Sequence, residues 1–516
     1  MTPRARAHSH GHTRREALVE LGLGAAALML AGCGAGSSGS AFARNGSTLA
    51  STYVDPRGDG VLQAGPGVQL IDRTELAPRV GVGAVRATIA HLTDVHVMDA
   101  QSPARVPFLR RLGSPFNSTF RPQEALTAQV LAGAVRAIDL LAPDAVIQGG
   151  DLIDNAQANE LTQALALLHG GPVDPNSGGP GYTGVQSAQD PDPLYYRPDI
   201  DAPQHPGLLE RATARFTTSG LHAPWYPVLG DHDLLVQGVL APSVLTEAIA
   251  LGSRAVWDLP LNLHPPRGFS AANTGTATGS PDGLSDPERI GALIEQLQDA
   301  PSVAVEADAT RRELSAAEAI AALRSASGSG GDGPLMSYSF DIGTRVRVIV
   351  LDLVRREGGS GGIVHEGLEA WLAGELARAG GRWVLVVSHQ PLTSTEGAER
   401  LLALLDRNPR VVAAIWGHTH RNRIVPRQSP AGGYWLIATG SLIDYPQQLR
   451  AIRLRDASGG GCVLETWMLD HVPDGGGIGD IARELSYIDV QGGRPQGFAG
   501  GPLDRNVRLY RRPPGT

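Results

Sequence analysis

The chain contains no lysine, since all 44 of its basic residues are arginines. This absence excludes mechanisms that need a side-chain amine, such as a Schiff base or a phosphate-binding P-loop lysine. Only two cysteines are present, Cys33 and Cys462, which excludes a disulfide framework and a thiolate zinc cluster. The formal net charge is -8, so the chain has no excess of basic residues of the kind typical of nucleic-acid-binding proteins. No nucleic-acid partner is therefore expected.

The N-terminal segment has the pattern of an export signal. Arg14 and Arg15 precede a short apolar stretch at 21–31, which predicts a Tat-type signal and is too short for an ordinary membrane span. The stretch ends in Leu-Ala-Gly-Cys, which resembles a bacterial lipobox and makes Cys33 the predicted lipidated residue. The alternative is a plain signal peptide cut after the A-x-A site at 41–43. Both predict a protein beyond the cytoplasmic membrane.

A repeated local pattern follows, in which a short apolar run ends and polar residues come next. Such runs predict buried strands at 87–92, 145–148, 225–229, 383–387 and 411–416. The helical spacing of apolar residues at 124–141 and 366–379 predicts helices between some of them. Helical pieces are also predicted at 286–297 and 315–323, and a pair of strands is predicted after the Gly/Ser-rich break at 325–333. Ligands gather beyond the carboxyl ends of strands in α/β cores. The polar clusters are D-x-H (Asp94, His96), G-D (Asp151), G-D-H-D (Asp231, His232, Asp233), His389 and G-H-x-H (His418, His420).

In this order, the clusters resemble the motifs of the calcineurin-like metallophosphoesterases, over about 85–470. The closer likeness is to bacterial Tat-exported metallophosphoesterases and to class III phosphodiesterases. The resemblance implies an α/β (α+β) fold: a four-layer αββα sandwich of two mixed sheets, here with a helical insertion. It divides the chain into a signal, lipobox and tether start (1–43), a linker (44–80), a metallophosphoesterase domain (81–470, with a cap-like insertion at 234–333) and a C-terminal extension (471–516).

The resemblance also implies two metal ions, Mn, Fe or Zn, with metal-bound hydroxide as the nucleophile. One ion would be held by Asp94, His96, Asp151 and His420, and the other by Asp151, Asp231, His389 and His418, so that Asp151 bridges them. His232 would act on the substrate as an electrophile or acid, and Asp233 would orient its imidazole.

Two positions depart from the family pattern. Asp231 stands where the family usually has asparagine. Its added negative charge is expected to neutralise metal charge and raise the pKa of the bridging water, and either to weaken phosphate approach or to favour a more highly charged ion. Asp154 stands where purple acid phosphatases carry the tyrosine that binds ferric iron, which argues against a purple iron site.

These features predict a dinuclear phosphatase or phosphodiesterase acting on a small-molecule phosphoester outside the cytoplasm. A lipid anchor at Cys33 would place it on the outer face of the cytoplasmic membrane. The alternatives are a binding lipoprotein that holds metal without catalysis and, third, an enzyme similar to 5'-nucleotidases. Two long loops, at 98–120 and 170–205, are expected to lie around the site. Four arginines in or beside the first of these loops are candidate phosphate contacts, with ordinary surface positions as their alternative: Arg105, Arg110, Arg111 and Arg121.

Overall fold

The computed structural model describes residues 46–112, 118–190, 192–260, 294–473, 477–489 and 497–515. The strands are β1 Ser51–Val54, β2 Gln63–Pro66, β3 Ile71–Arg73, β4 Val82–Leu92, β5 Ala145–Gln148, β6 Gly171–Val173, β7 Phe216–Thr218, β8 Trp225–Pro227, β9 Arg254–Val256, β10 Ser302–Ala304, β11 Tyr338–Ile342, β12 Val346–Leu351, β13 Trp383–Ser388, β14 Val411–Trp416, β15 Arg423–Arg427, β16 Tyr434–Ala438, β17 Gln448–Ala457, β18 Cys462–Asp470 and β19 Val507–Arg511. The helices are α1 Thr127–Leu141, α2 Ala158–His169, α3 Leu208–Thr213, α4 Val244–Ala250, α5 Ala316–Ser327, α6 Leu368–Arg378, α7 Ala398–Arg407 and α8 Ile478–Ile488.

Two mixed sheets form the centre of the molecule. The seven-stranded sheet has the order β3-β19-β18-β17-β4-β5-β8, and β4, β5 and β8 are parallel neighbours. The six-stranded sheet has the order β11-β12-β13-β14-β16-β15, and β12, β13, β14 and β16 run parallel. Both sheets therefore present the carboxyl ends of several parallel strands along one edge.

The alternation of side chains along the strands explains how the layers pack. In β13, Leu385 and Val387 belong to the core that also contains Ile89 of the seven-stranded sheet. Val384 and Val386 point to the opposite face, where they join a second core with side chains of α6 and α7. The helix α1 packs against β4 and β18 of the other sheet. The predicted αββα sandwich of two mixed sheets is confirmed.

The seven-stranded sheet extends past the predicted limits of 81–470 at both ends. Within the predicted linker at 44–80, β3 pairs in parallel with β19, which lies in the predicted C-terminal extension. The hydroxyl of Thr48 also donates a hydrogen bond to the carbonyl oxygen of Met468 at 2.7 Å. The described part of the predicted linker is thus built into the domain, because β3 completes the edge of this sheet.

The predicted insertion at 234–333 contains α4, the antiparallel pair β9 and β10, and α5 in its described parts. In its described residues, the loop predicted at 170–205 is mostly irregular and contains the short strand β6. The predicted helix at 286–297 lies largely outside the described residues. The signal, the tether start and Cys33 lie outside them entirely. None of the helices in the described part of the chain is both long and apolar enough to cross a bilayer.

Candidate metal centre

Every predicted ligand lies in a loop that directly follows a parallel strand. Asp94 and His96 follow β4, Asp151 follows β5, and Asp231 follows β8. His389 follows β13 of the other sheet, and the G-H-x-H pair His418 and His420 follows β14. The two sheets share one core, and the loops of both meet at the same edge. The site is therefore assembled from both halves of the sandwich.

The ligand-type atoms fall into two neighbouring groups. In the first, Asp94, His96 and His420 bring their nitrogen and oxygen atoms within 4.8 Å of one another. The closest of these contacts joins His420 Nε2 to Asp94 Oδ1 at 3.2 Å. All three side chains are buried.

The second group contains Asp151, Asp231, His389 and His418. The Nε2 atom of His389 lies 3.1 Å from Asp151 Oδ2 and 3.2 Å from Asp231 Oδ1, and His418 Nδ1 lies 3.2 Å from Asp231 Oδ1. Asp151 Oδ2 is also 3.7 Å from His96 Nε2 of the first group. Asp151 thus lies between the groups, where the sequence predicts a bridging carboxylate.

Three of the four histidines are held by the ring nitrogen that points away from the cluster. His96 Nδ1 contacts Asp154 Oδ1 at 3.0 Å, His420 Nδ1 contacts Asp444 Oδ2 at 2.6 Å, and His389 Nδ1 contacts the carbonyl oxygen of Gly149 at 2.8 Å. An acceptor at Nδ1 fixes the tautomer and directs the lone pair of Nε2 into the centre.

Some of the polar atoms that point into the cluster are buried without a hydrogen-bond partner. They are His96 Nε2, His389 Nε2 and Asp231 Oδ2. Buried polar atoms are normally paired, and the close carboxylates around His389 do not meet hydrogen-bond geometry. Imidazole and carboxylate groups of this kind suit Mn, Fe or Zn ions. The donor set therefore fits two such cations.

The ligand loops adopt a backbone conformation that side chains rarely accept. Asp94, His96, Asp151, His418 and His420 all have φ between 49° and 60°. A non-glycine residue in the left-handed region costs on the order of 1–3 kcal/mol and persists where its surroundings impose it. Concentration of this strain on ligand residues is typical of a functional site.

The glycines of the motifs allow the loops to approach one another. A β-carbon at Gly417 would lie 2.0 Å from Thr93 Oγ1 and 2.5 Å from Asp94 Oδ2. A β-carbon at Gly230 would lie 2.2 Å from the backbone nitrogen of Asp151. Any larger residue would push these ligand loops apart, which explains the glycines before Asp231 and His418.

Charge coupling in the cluster is strong. Burial alone would raise the pKa of Asp94, but the positive charges of His420, His389 and His96 outweigh it and lower that pKa. Burial lowers the pKa of His420, yet Asp94 and Asp444 raise it overall to about 9. His420 thus holds a proton that balances the carboxylates near it, and a binding cation must displace that proton.

Asp233 does not orient the imidazole of His232, so this sequence-based expectation is wrong. Its carboxylate accepts hydrogen bonds from the backbone nitrogens of Gly230, Asp151, Leu152 and Ile153. Burial, followed by the charge of Asp151, raises the pKa of Asp233 to about 7. The carboxylate of Asp233 holds the Asp151 loop in place, because three backbone amides of that loop donate to it.

His232 is instead positioned by the backbone. Its Nδ1 lies 2.6 Å from the carbonyl oxygen of Asp154, and its ring packs edge-on against His96 with centroids 4.4 Å apart. Burial would lower its pKa, but Asp151, Asp154 and Asp231 raise it overall. His232 also lines the cavity above the two groups.

Sequence reasoning missed the roles of Asp154 and Asp444. Both are buried and contact ligand histidines, and Asp154, His96 and His232 form a third group with ligand-type atoms close together. The only sequence signal was that Asp154 follows the G-D motif and Asp444 follows β16. Their contacts depend on residues far away in the chain.

The four arginines predicted as candidate phosphate contacts interact with other side chains of the protein. Arg105 pairs with both carboxylate oxygens of Glu124 at 2.6 Å, and Arg121 pairs with Asp444 at 2.7 Å. Arg111 contacts Asp192 and Asp258, and Arg110 lies over the ring of Phe120. Neither the phosphate-binding interpretation nor the plain surface alternative describes Arg105 and Arg121, which are buried ion-pair partners.

A cavity of about 340 Å³ lies directly above the ligand groups. Its floor includes His96, Asp151, His232, His418 and His420. Its walls come from the described part of the loop at 98–120, as predicted, and from the insertion at 234–333. The loop at 170–205 was also expected around the site, but none of its described residues lines the cavity.

The fold and the site together define a two-sheet α/β protein with clustered histidine and aspartate groups able to bind metal. Residues 333–422 match the family model described as calcineurin-like phosphoesterase. This match confirms the resemblance to the calcineurin-like metallophosphoesterases, and it supports a hydrolase. It includes His389, His418 and His420, whereas the aspartates of the centre precede it.

Comparison with curated protein sequences gives no match. Among solved structures, one similar chain is a dimetal phosphatase from Danio rerio, with 14% identity, a TM-score of 0.36, and coverage of 75% of this chain and 100% of that one. Another is the sulfate thiohydrolase SoxB from Termus thermophilus in complex with glycerol, with 12% identity, a TM-score of 0.28, and coverage of 80% and 61%.

Proposed function

We propose that the protein is a dinuclear metal-dependent phosphoester hydrolase. The observation that carries the proposal is the meeting of seven buried ligand side chains, from two sheets, in two adjacent groups with Asp151 between them. Asp94, His96, Asp151 and His420 would hold one ion. Asp151, Asp231, His389 and His418 would hold the other. Two bound cations would supply Lewis acidity to the phosphoryl oxygens and to an attacking water.

His232 is the proposed proton donor to the leaving oxygen. Its Nδ1 contact with the carbonyl oxygen of Asp154 requires a proton on Nδ1, because a carbonyl oxygen can only accept. The remaining nitrogen, Nε2, is then available to the cavity. The surrounding carboxylates raise the pKa of His232 against the effect of burial, which favours the protonated form needed by a general acid.

The test is hydrolysis of 4-nitrophenyl phosphate and bis(4-nitrophenyl) phosphate by the full chain loaded with Mn²⁺. We expect turnover of at least one ester, and Asp151→Asn should lower kcat/KM on the order of 100-fold or more because both ions lose a ligand. Asp174→Asn is the matched control, since Asp174 is exposed and pairs with Arg215 at 2.7 Å.

The alternative of a metal-holding protein without catalysis would be favoured if two ions bind but neither ester is hydrolysed. Asp231→Asn then tests the cause. Asp231 adds a charge at a position where the family usually has a neutral amide, and the extra charge would reduce the electrophilic character of the ions. If Asp231→Asn gains activity, the lack of hydrolysis in the unaltered protein is caused by this one residue.

We further propose that the protein acts outside the cytoplasm as a lipoprotein. The twin arginines Arg14 and Arg15 and the lipobox cysteine Cys33 support this placement. Fractionation of cells expressing the full chain tests it. The protein should be found with the membrane, and Cys33→Ser should release it; retention of the variant at the membrane would contradict a lipid anchor.

A further inference from the structure

The cavity above the ligand groups is polar at its floor and apolar along its walls. The wall side chains include Phe108 and Leu109 from the first loop, and Val236, Leu245, Ile249 and Val256 from the insertion. Phe108 and Leu109 also pack with Leu297 in a small apolar cluster that joins the loop to the insertion. The apolar surface thus continues directly from the candidate metal centre.

The charged side chains in the described walls are already engaged. Arg105 is bound by Glu124 and Arg121 by Asp444. Arg254 donates to the carbonyl oxygens of Leu297 at 3.3 Å and Ala300 at 2.5 Å. The charges of Arg105 and Arg121 are therefore neutralised by carboxylates, and the donors of Arg254 are directed at backbone carbonyls rather than at a second phosphate or another anionic part of a substrate.

We propose that this site prefers phosphoesters whose ester group is a large apolar chain or ring. The inference rests on the proposed function and assigns its substrate class. A volume of about 340 Å³ lies within the range of pockets that enclose organic ligands of drug size. The phosphoryl group would lie at the ligand floor, and the ester group would extend between the first loop and the insertion.

Helix α4 supplies both a sensitive position and a matched control. Leu245 lines the cavity and is 43% exposed. Its neighbour Val244 is 88% exposed and is not part of the wall. Since neither side chain is buried in the core, replacing either by asparagine should leave the fold intact, and only one replacement changes the cavity.

The experiment compares methyl, butyl and octyl phosphate, each as the monoester and as the methyl diester, with the full chain loaded with Mn²⁺. The alkoxide leaving groups are chemically similar, so the series varies mainly the apolar area. A buried methylene contributes on the order of 4-fold, and we expect kcat/KM to be at least about 100-fold higher for octyl than for methyl esters. Leu245→Asn should reduce this octyl-to-methyl ratio about 10-fold, whereas Val244→Asn should not change it.

Binding of methylphosphonate and octylphosphonate, measured by calorimetry, separates this inference from the proposed function. Hydrolysis with an octyl-to-methyl ratio near one would overturn the apolar preference and leave the hydrolase standing. If no ester is hydrolysed, the proposed function fails. In that case tighter binding of octylphosphonate, weakened by Leu245→Asn, still supports the apolar cavity, and equal binding of the two phosphonates overturns it.

Discussion

At the scale of single residues, the acceptors behind the ligand histidines are as informative as the ligands. Asp154 Oδ1 accepts a hydrogen bond from His96 Nδ1 at 3.0 Å, and Asp444 Oδ2 accepts one from His420 Nδ1 at 2.6 Å. Each carboxylate fixes a tautomer and increases the electron density on the opposite nitrogen. Such partners usually change metal affinity without contacting the metal.

Asp154→Asn should weaken metal binding. An asparagine keeps the shape of the side chain but removes the charge that holds His96, so metal affinity should fall about 10- to 100-fold. Competition with a fluorescent chelator measures the affinity. The exposed variant Asp341→Asn serves as the control and should bind metal as the unaltered chain does. An unchanged affinity in Asp154→Asn would show that the contact does not support the centre.

The ligands could be predicted from sequence because each one lies next to a glycine or directly after an apolar run. Asp154, Asp444 and the role of Asp233 could not, because their partners are set by tertiary structure. The ion pair of Arg121 with Asp444 spans 323 positions, and Asp233 reaches amides about 80 positions away. No local pattern encodes such distances.

At the scale of elements, the insertion contains a buried acid that couples its stability to pH. Glu313 Oε2 accepts hydrogen bonds from the Thr246 hydroxyl at 2.8 Å and the Ser243 nitrogen at 3.2 Å, at the N-terminus of α4. Burial raises the pKa of Glu313 to about 7, although these hydrogen bonds oppose the rise. The folded protein therefore holds the proton more tightly than the unfolded chain.

Protonated Glu313 stabilises the folded protein at low pH. Its contribution to the free energy of unfolding is fully present below the unfolded pKa of about 4.5 and is lost as the pH rises through about 7. Glu313→Gln keeps an acceptor without the charge, so it should be more stable than the unaltered chain at pH 8, by about 2 kcal/mol after allowance for solvent screening. Thermal unfolding at pH 5 and pH 8 measures this difference. Equal gains at both values would contradict the explanation.

Strand prediction succeeded where apolar runs were bounded by turn residues. The runs at 145–148 and 411–416 coincide with β5 and β14, and the predicted pair after the Gly/Ser-rich break is the antiparallel pair β11 and β12. The strands missed include β3, β17, β18 and β19 of the seven-stranded sheet. Their places in the sheet depend on distant partners, since β3 pairs with β19 and β17 pairs with β4.

At the scale of the whole molecule, both ends of the described chain complete the seven-stranded sheet. Arg73 of β3 donates to the carbonyl oxygens of Ile424 at 2.7 Å and Leu503 at 3.1 Å. Leu76 is buried in the main core. These contacts connect residues before the predicted domain limit to β15 of the six-stranded sheet and to the segment that precedes β19.

A shortened chain that begins at residue 81 should therefore unfold at a lower temperature than one that begins at residue 46. The longer form retains β3, Arg73 and Leu76, and the shorter form exposes the edge of β19. Calorimetry of the two forms in the same buffer measures the difference. Equal midpoints would show that the segment at 46–80 is dispensable, as a linker would be.

The proposed function depends most on the two cation sites formed by the seven ligands. Elemental analysis by mass spectrometry, after saturation with Mn, Fe or Zn and removal of free metal, tests this most directly. We expect two ions per chain in the unaltered protein and in Asp174→Asn, and fewer in Asp151→Asn, which removes the carboxylate between the groups. Protein that retains no ion with any of these metals, or two ions without Asp151, would contradict it.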